Sequence, residues 1–170
     1  MPELSEAMGR AGEMSDDRGY RRGVGVMLLN AAGKVFVGAR IDNTDEAWQM
    51  PQGGIDEGED DPWITALREL EEETGIPPAL VERLAVCPER LKYDLPPALR
   101  PKLWGGKYRG QDQDWFLARF LGTDRDINIA TTHPEFREWK WIDPEQLPEL
   151  IVPFKRDLYR RLLCEFADQL

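Results

Sequence analysis

The segment Arg68–Ile76, RELEEETGI, constrains the fold of this chain more than any other part of the sequence. It places Glu69, Glu72 and Glu73 at i, i+3 and i+4, so on a helix the three carboxylates share one face. Three like charges this close repel one another. Hard divalent cations such as Mg²⁺ bind carboxylate oxygens and usually share them with substrate phosphates. The segment therefore indicates a metal-binding helix, and the alternative is a solvated acidic stripe.

The residues on either side of this segment favour the metal-binding interpretation. A glycine-rich loop, Met50–Glu59, precedes the helix, and Gly75 follows it at the position of a C-terminal cap. Asp61 is suited to the N-cap and Pro62 to the first helical position. The sequence therefore predicts a helix from about residue 62 to residue 74, directly after a glycine loop.

The loop and the helix together resemble the Nudix box, Gly-x5-Glu-x7-Arg-Glu-U-x-Glu-Glu-x-Gly-U, in which U is aliphatic. From Arg68 onward every specified position matches. The first half of the box can be aligned in two registers. One uses Gly54 and Asp60, whereas the other keeps Gly53 and Glu59 and needs one extra residue before the helix. We favour the second register, with the extra residue close to the start of the helix.

Shorter motifs extend the resemblance over nearly the whole chain from Gly19 onward. They are similar to motifs of the bacterial RNA pyrophosphohydrolase branch of the Nudix family, which also contains dinucleoside polyphosphate hydrolases. These motifs are GYRRGVG at 19–25, WQMPQGG at 48–54, QDQDWF at 111–116, PEF at 134–136 and VPFKR at 152–156. Two more, YDLP at 93–96 and LWGGKYRGQ at 103–111, lean toward the dinucleoside polyphosphate hydrolases.

The resemblance implies which acidic residues bind metal and take part in catalysis. Glu69, Glu72, Glu73 and the loop residue Glu135 would bind Mg²⁺, for which Mn²⁺ can substitute. The implied catalytic residues are Glu72, Glu73, Glu135 and Arg68, and the identity of the general base is left open. Arg68 lies four residues before Glu72 and can fix its rotamer. On its own, that pair is an ordinary ion pair worth about a few tenths of a kcal/mol.

The resemblance also implies a substrate-binding group. It consists of Arg21, Arg40, Gln52, Gly53, Gly54, Tyr93, Phe154 and Lys155. The guanidinium groups would bind phosphate oxygens, since their planar fork donates two parallel hydrogen bonds. Phe154 would stack on a base. It also fits the first position of an apolar helical stripe, so the sequence leaves a core role open for it.

Composition limits the function classes and the domain organisation. The 170 residues carry a net charge of −10, which argues against a broad basic surface that coats nucleic acid. The length fits a single domain over residues 19–170, and residues 1–18 read as a flexible N-terminal tail. The absence of a long apolar run and the two well-separated cysteines favour a cytoplasmic protein without membrane contact. The oligomeric state is left open.

Hydrophobic patterning predicts an α+β fold. A hairpin at 24–40 comes first, the acidic helix lies in the middle, and an amphipathic helix closes the chain at 154–170. Further strands are predicted at 81–93, 115–121 and 139–142. This order matches the Nudix fold, an α/β/α sandwich with a mixed central sheet.

The sequence thus predicts a Mg²⁺-dependent pyrophosphohydrolase that removes pyrophosphate from the 5′ end of triphosphorylated RNA and leaves a 5′-monophosphate. The alternative substrate is a dinucleoside polyphosphate such as diadenosine tetraphosphate. A more remote alternative is a non-catalytic nucleotide-sensing module, which the intact glutamates argue against. A Nudix-type isomerase is disfavoured because neither Cys87 nor Cys164 lies beside a recognised motif.

Overall fold

The computed structural model describes residues 19–43 and 46–170, so the expected tail at 1–18 lies outside the described residues. The helices of this part of the chain are α1 (Pro62–Thr74), α2 (Leu147–Leu150) and α3 (Arg156–Glu165). Its strands are β1 (Tyr20–Leu29), β2 (Val35–Arg40), β3 (Gln52–Gly54), β4 (Val81–Val86), β5 (Leu91–Asp94), β6 (Gly110–Phe120) and β7 (Phe136–Ile142). None of the described helices is both long enough and apolar enough to span a bilayer.

The sheet is mixed, as the sequence predicted. Its main path runs β4-β6-β1-β2-β7, and the central pair β1 and β6 is parallel. The other pairings among the described strands are antiparallel. Strand β1 is shared along its length, because β3 pairs with its middle residues, 23–25, and β2 with its last residue. This division places the glycine strand beside the middle of β1.

Alternation along β1 creates the three layers. Side chains at even and odd positions point to opposite faces of the sheet. Val24 and Val26 pack in the cluster that contains Leu70 of α1, whereas Met27 packs in the cluster that contains Leu158 of α3. Helix α1 therefore covers one face of the sheet and helices α2 and α3 cover the other, which gives the expected α/β/α sandwich.

Helix α1 has the ends that the sequence predicted. The Asp61 side chain accepts a hydrogen bond of 2.9 Å from the backbone N–H of Trp63. Gly75 ends the helix with φ 73°, and its N–H donates to the carbonyl of Glu71. That left-handed conformation favours glycine, since a Cβ would crowd the backbone.

The prediction of a single strand at 81–93 was wrong. The structure has two strands there, β4 and β5, and Cys87–Arg90 lies between them. Both pair with β6, but β4 carries a register shift between Arg83 and Ala85. The apolar alternation continues across the break because Cys87 stays buried, and it therefore conceals the interruption.

The closing helix is shorter than the sequence predicted. Regular α-helix begins at Arg156, and the preceding turn, Pro153–Lys155, is a 3-10 turn. Lys155 has ψ near 0°, which interrupts the helical path between the two elements. Phe154 therefore belongs to the turn and not to the buried stripe of α3.

Candidate active site

A cavity of about 660 Å³ lies beside β3, between α1 and the turn that precedes α3. Eleven of the predicted site residues line it, namely Arg21, Arg40, Gln52, Gly53, Gly54, Glu69, Glu73, Tyr93, Glu135, Phe154 and Lys155. The two predicted residues outside the lining are Arg68 and Glu72. The structure thus brings together side chains from distant parts of the chain in one cavity.

The glycines of β3 allow two charged side chains to lie directly against the backbone. A Cβ at Gly53 would collide with the carboxylate of Glu69, and a Cβ at Gly54 would collide with the guanidinium of Arg21. The motif therefore needs glycine here for close approach. The carboxylate of Glu69 and the guanidinium of Arg21 thus contact neighbouring residues of β3.

Arg68 connects the glycine loop to the acidic helix. Its guanidinium donates hydrogen bonds of 2.7 and 2.9 Å to Glu59 and lies 3.0 Å from the carboxylate of Glu72. Glu59 also accepts from the backbone N–H of Asp56, and these bonds lower the pKa of Glu59 to about 2. The contact supports the register with Gly53 and Glu59.

Two carboxylates of the cavity, those of Glu69 and Glu73, are desolvated. Glu73 is 3% exposed, and its Oε2 atom has no hydrogen-bond partner. Burial raises the pKa of Glu73 well above its usual value, and the nearby charges of Glu69 and Glu135 raise it further. Burial also raises the pKa of Glu69 to about 7. Buried acids held this close stay ionised only if a cation compensates their charge.

The carboxylates are not arranged as a finished metal site. In the described part of the chain, no three acidic, histidine or cysteine side chains form a group that could hold a metal ion. Glu72 is paired with Arg68, and Glu135 lies 3.6 Å from Arg40. However, the unpartnered oxygen of Glu73, next to Glu69, is the hard oxygen donor that Mg²⁺ prefers. The residues therefore fit a magnesium ion once Glu72 or Glu135 turns toward it.

The cationic side of the cavity is held by contacts that the sequence did not indicate. Arg40 donates two hydrogen bonds of 2.7 and 2.8 Å to Asp42. The ammonium of Lys155 lies 4.9 Å from the centre of the Tyr93 ring. Burial and the nearby charge of Arg40 lower the pKa of Lys155 to about 7. A phosphate chain in the cavity would restore the charged form of this lysine.

An aromatic pair, Tyr93 and Phe154, lines part of the cavity. The rings of Tyr93 and Phe154 have centroids 6.0 Å apart and are inclined at 43°. Tyr93 is buried, whereas Phe154 is half-buried and lines the cavity. The position of Phe154 favours a base-stacking surface over the core role that the sequence left open.

Trp104 was missed by the sequence analysis as a cavity residue. Its ring centre lies 5.3 Å from the guanidinium carbon of Arg21, and its φ of 50° is unusual for a residue with a side chain. Leu95, Leu99 and Leu103 continue this apolar wall. The glycines that follow Trp104 indicate an irregular chain path, but they do not reveal where the ring points.

The same residues match a known family model. A model described as "NUDIX domain" matches residues 19–162. That span covers most of the chain and includes the glycine loop, α1 and the aromatic pair. The chain belongs to the Nudix family. The family resemblance seen in the sequence is therefore confirmed.

Several curated Nudix relatives carry the name RNA pyrophosphohydrolase. The relative from Sphingopyxis alaskensis is 60% identical over 148 residues, which is 87% of this chain and 93% of the relative. The relative from Roseobacter denitrificans is 59% identical over 151 residues, covering 89% and 94%. The relative from Zymomonas mobilis is 55% identical over 155 residues, covering 91% and 99%.

Solved Nudix structures confirm the predicted fold. The structure of an Escherichia coli dihydroneopterin triphosphate pyrophosphohydrolase superposes with a TM-score of 0.66 at 20% identity, covering 85% of this chain and 97% of that chain. A Caenorhabditis elegans Ap4A hydrolase binary complex gives a TM-score of 0.62 at 22% identity, covering 87% and 98%. At these identities the likeness shows the Nudix fold alone.

Proposed function

We propose that this protein is a Mg²⁺-dependent RNA pyrophosphohydrolase. It removes pyrophosphate from the 5′ end of triphosphorylated RNA and leaves a 5′-monophosphate. The observation that carries the proposal is a single cavity in which buried carboxylates, arginines and a half-buried aromatic ring line the same space. Relatives of that name, at 54–60% identity, support it.

Different side chains bind the phosphate chain and the base of the substrate. Arg21 and Arg40 bind the phosphate oxygens through their guanidinium groups. Phe154, supported by Tyr93, stacks on a base near the 5′ end. These contacts align the phosphate chain with the carboxylates of α1, so the anhydride bond to be broken lies beside Glu73.

The carboxylates would hold the cation and accept the proton of the attacking water. Glu69 and Glu73 would supply oxygen ligands, and Glu72 and Glu135 would complete the set. When bound, Mg²⁺ offsets phosphate charge and makes water a better nucleophile. Water then adds to the α-phosphorus, the bond to the β-phosphate breaks, and pyrophosphate leaves. The partly exposed Glu72 and Glu135 are the candidates for accepting the proton.

A second candidate substrate is a dinucleoside polyphosphate such as diadenosine tetraphosphate. The observation that favours it is a further aromatic ring in the cavity, because Trp104 lines the same space as the pair Tyr93 and Phe154. A cavity with more than one surface for stacking suits a ligand with a base at each end of a phosphate chain. A purely nucleotide-sensing role has less support, because Glu69, Glu72 and Glu73 are all present.

Product analysis tests the proposal. RNA labelled on its 5′-triphosphate is incubated with the protein and Mg²⁺, and the RNA ends and released phosphates are separated. We expect 5′-monophosphate RNA together with pyrophosphate, and no reaction in excess chelator. If triphosphate RNA stays intact while diadenosine tetraphosphate is hydrolysed, the second candidate replaces the first.

A further inference from the structure

A row of hydrogen-bonded side chains runs along β6 and reaches Gln52 of the glycine strand β3. Gln111, Gln113 and Trp115 alternate along β6 and so point to the same face of the sheet. The Trp115 indole Nε1 donates to Gln113 Oε1 at 2.9 Å. Gln113 Nε2 in turn donates to Gln111 Oε1 at 2.7 Å and to Gln52 Oε1 at 3.3 Å. Gln113 and Trp115 are both fully buried.

Trp115 determines the direction of every bond in this row. An indole N–H can only donate, so the amide of Gln113 must turn its oxygen toward Trp115. Both N–H bonds of Gln113 then point to Gln111 and Gln52. The opposite amide orientation would face one donor with another in a buried place, and such unpaired buried donors are costly.

The hydrogen bonds of this row determine which side-chain atoms of Gln52 and Gln111 face the cavity. Gln52 and Gln111 both line the cavity, and both have their side-chain oxygens engaged by Gln113. Their NH₂ groups are therefore the ends turned away from the row. One contact of the Gln52 NH₂ is the Tyr93 hydroxyl at 3.5 Å. Amide N–H groups bind phosphate oxygens, whereas amide oxygens would repel them.

We propose that Gln113 is a positioning residue for substrate binding. Held by the Trp115 indole, it orients the amides of Gln52 and Gln111 with their N–H groups toward the cavity, so that this wall binds a phosphate chain. The inference rests on the proposed function only in taking a polyphosphate as the ligand. It assigns a role to a side chain that itself does not line the cavity.

Gln113→Met tests the inference, because methionine has similar length but neither donates nor accepts strongly. Without Gln113, the amides of Gln52 and Gln111 can rotate. We expect the KM for triphosphate RNA and the Kd for inorganic tripolyphosphate, measured with Mg²⁺, to rise about tenfold. The kcat should stay within about threefold, since the carboxylates are untouched. Gln169→Met, at an exposed position, is the matched control and should change neither constant.

A mutant cycle separates positioning from general packing. Gln113→Met is combined with a Gln52→Met, Gln111→Met background, in which the two amides are already absent. If Gln113 acts through them, its substitution changes the tripolyphosphate Kd by less than about twofold in that background. An undiminished tenfold effect there would overturn the inference, as would an unchanged Kd for Gln113→Met in the otherwise native chain.

Two further measurements cover a Gln113→Met variant that does not fold and separate the role of Gln113 from the proposed function. If Gln113→Met does not fold, Trp115→Phe removes the donor that orients the row, and the tripolyphosphate Kd should rise in the same direction. An unchanged Kd in that variant overturns the inference. Tripolyphosphate binding needs no hydrolysis, so it tests the role of Gln113 separately from the reaction. If the protein binds tripolyphosphate but leaves triphosphate RNA intact, the proposed function is refuted and the role of Gln113 can still be measured. A native protein that does not bind tripolyphosphate refutes the role of Gln113.

Discussion

The Arg68 guanidinium binds the carboxylate of Glu59, nine residues earlier in the chain, through hydrogen bonds of 2.7 and 2.9 Å. The same guanidinium lies 3.1 Å from Glu69 and 3.0 Å from Glu72. One side chain therefore ties the glycine loop to the acidic face of α1. The loop and the carboxylates of α1 that we propose bind metal are held in position together.

Glu59→Gln should lower the free energy of unfolding at pH 7 by about 1 kcal/mol, because a partly exposed ion pair is screened by solvent. The folded pKa of Glu59 is lowered to about 2, below its unfolded value near 4.3. A lowered acid pKa stabilises the fold above the unfolded pKa, and that stabilisation is lost as pH falls through the folded pKa. The difference between native and variant protein should therefore shrink between about pH 4.3 and pH 2.

Denaturant unfolding at pH 7 and at pH 3 measures this difference. Glu57→Gln is the matched control, since Glu57 is exposed in the same loop. An equal effect of both substitutions, or a pH-independent effect of Glu59→Gln, would contradict the structural role given to Glu59.

Glu73→Gln keeps the side-chain size and removes a charge that we propose binds the cation. We expect kcat to fall by at least about 10²-fold, in line with losing a group that acts in the transition state. The fold should survive, because burial already disfavours the ionised form of Glu73. Steady-state kinetics and thermal unfolding in chelator measure the two effects. Glu71→Gln, on the exposed side of α1, should retain activity, and native turnover in Glu73→Gln would refute the metal-binding interpretation.

Phe154→Ala should weaken substrate binding by roughly 1–3 kcal/mol, the usual contribution of a stacked base. Phe154 is half-buried on the cavity wall, so the loss of stability should stay below the roughly 3–5 kcal/mol of a core phenylalanine. KM and melting temperature, measured on the same preparation, separate the two effects. A large drop in melting temperature with an unchanged KM would instead make Phe154 a core residue.

RNA recognition should be confined to the 5′ end. The net charge of −10 disfavours contact along the RNA backbone, and the cavity offers few arginines to phosphates. A long triphosphate RNA and a very short one should therefore give similar kcat/KM values, with a shallow salt dependence. If kcat/KM climbs steadily with RNA length and falls steeply with salt, the protein has a basic RNA track.

Local patterns predicted those features of the fold that depend on neighbouring residues. The ends of α1 follow from Asp61, Pro62 and Gly75, whose capping roles need no tertiary information. The acidic face of α1 follows from helical spacing alone, since its glutamates stand three and four residues apart. By contrast, the break between β4 and β5 was invisible, because the buried Cys87 continues the apolar alternation.

Side chains that act through distant partners could not be predicted in the same way. Trp104 lies over Arg21, more than eighty residues earlier, and its left-handed backbone carries no distinctive sequence signal. Gln113 is hydrogen-bonded to Gln52 on another strand and to Trp115, two residues further along β6. These contacts depend on how β1, β3 and β6 are arranged in the sheet, and the sequence of no single segment predicts that arrangement.

The most direct test of the central claim compares two substrates with the same enzyme preparation. The kcat/KM values for a short 5′-triphosphate RNA and for diadenosine tetraphosphate are measured side by side with Mg²⁺. We expect the RNA to be favoured by at least about tenfold, which corresponds to ~1.4 kcal/mol of transition-state stabilisation. A preference of that size for diadenosine tetraphosphate would contradict the account.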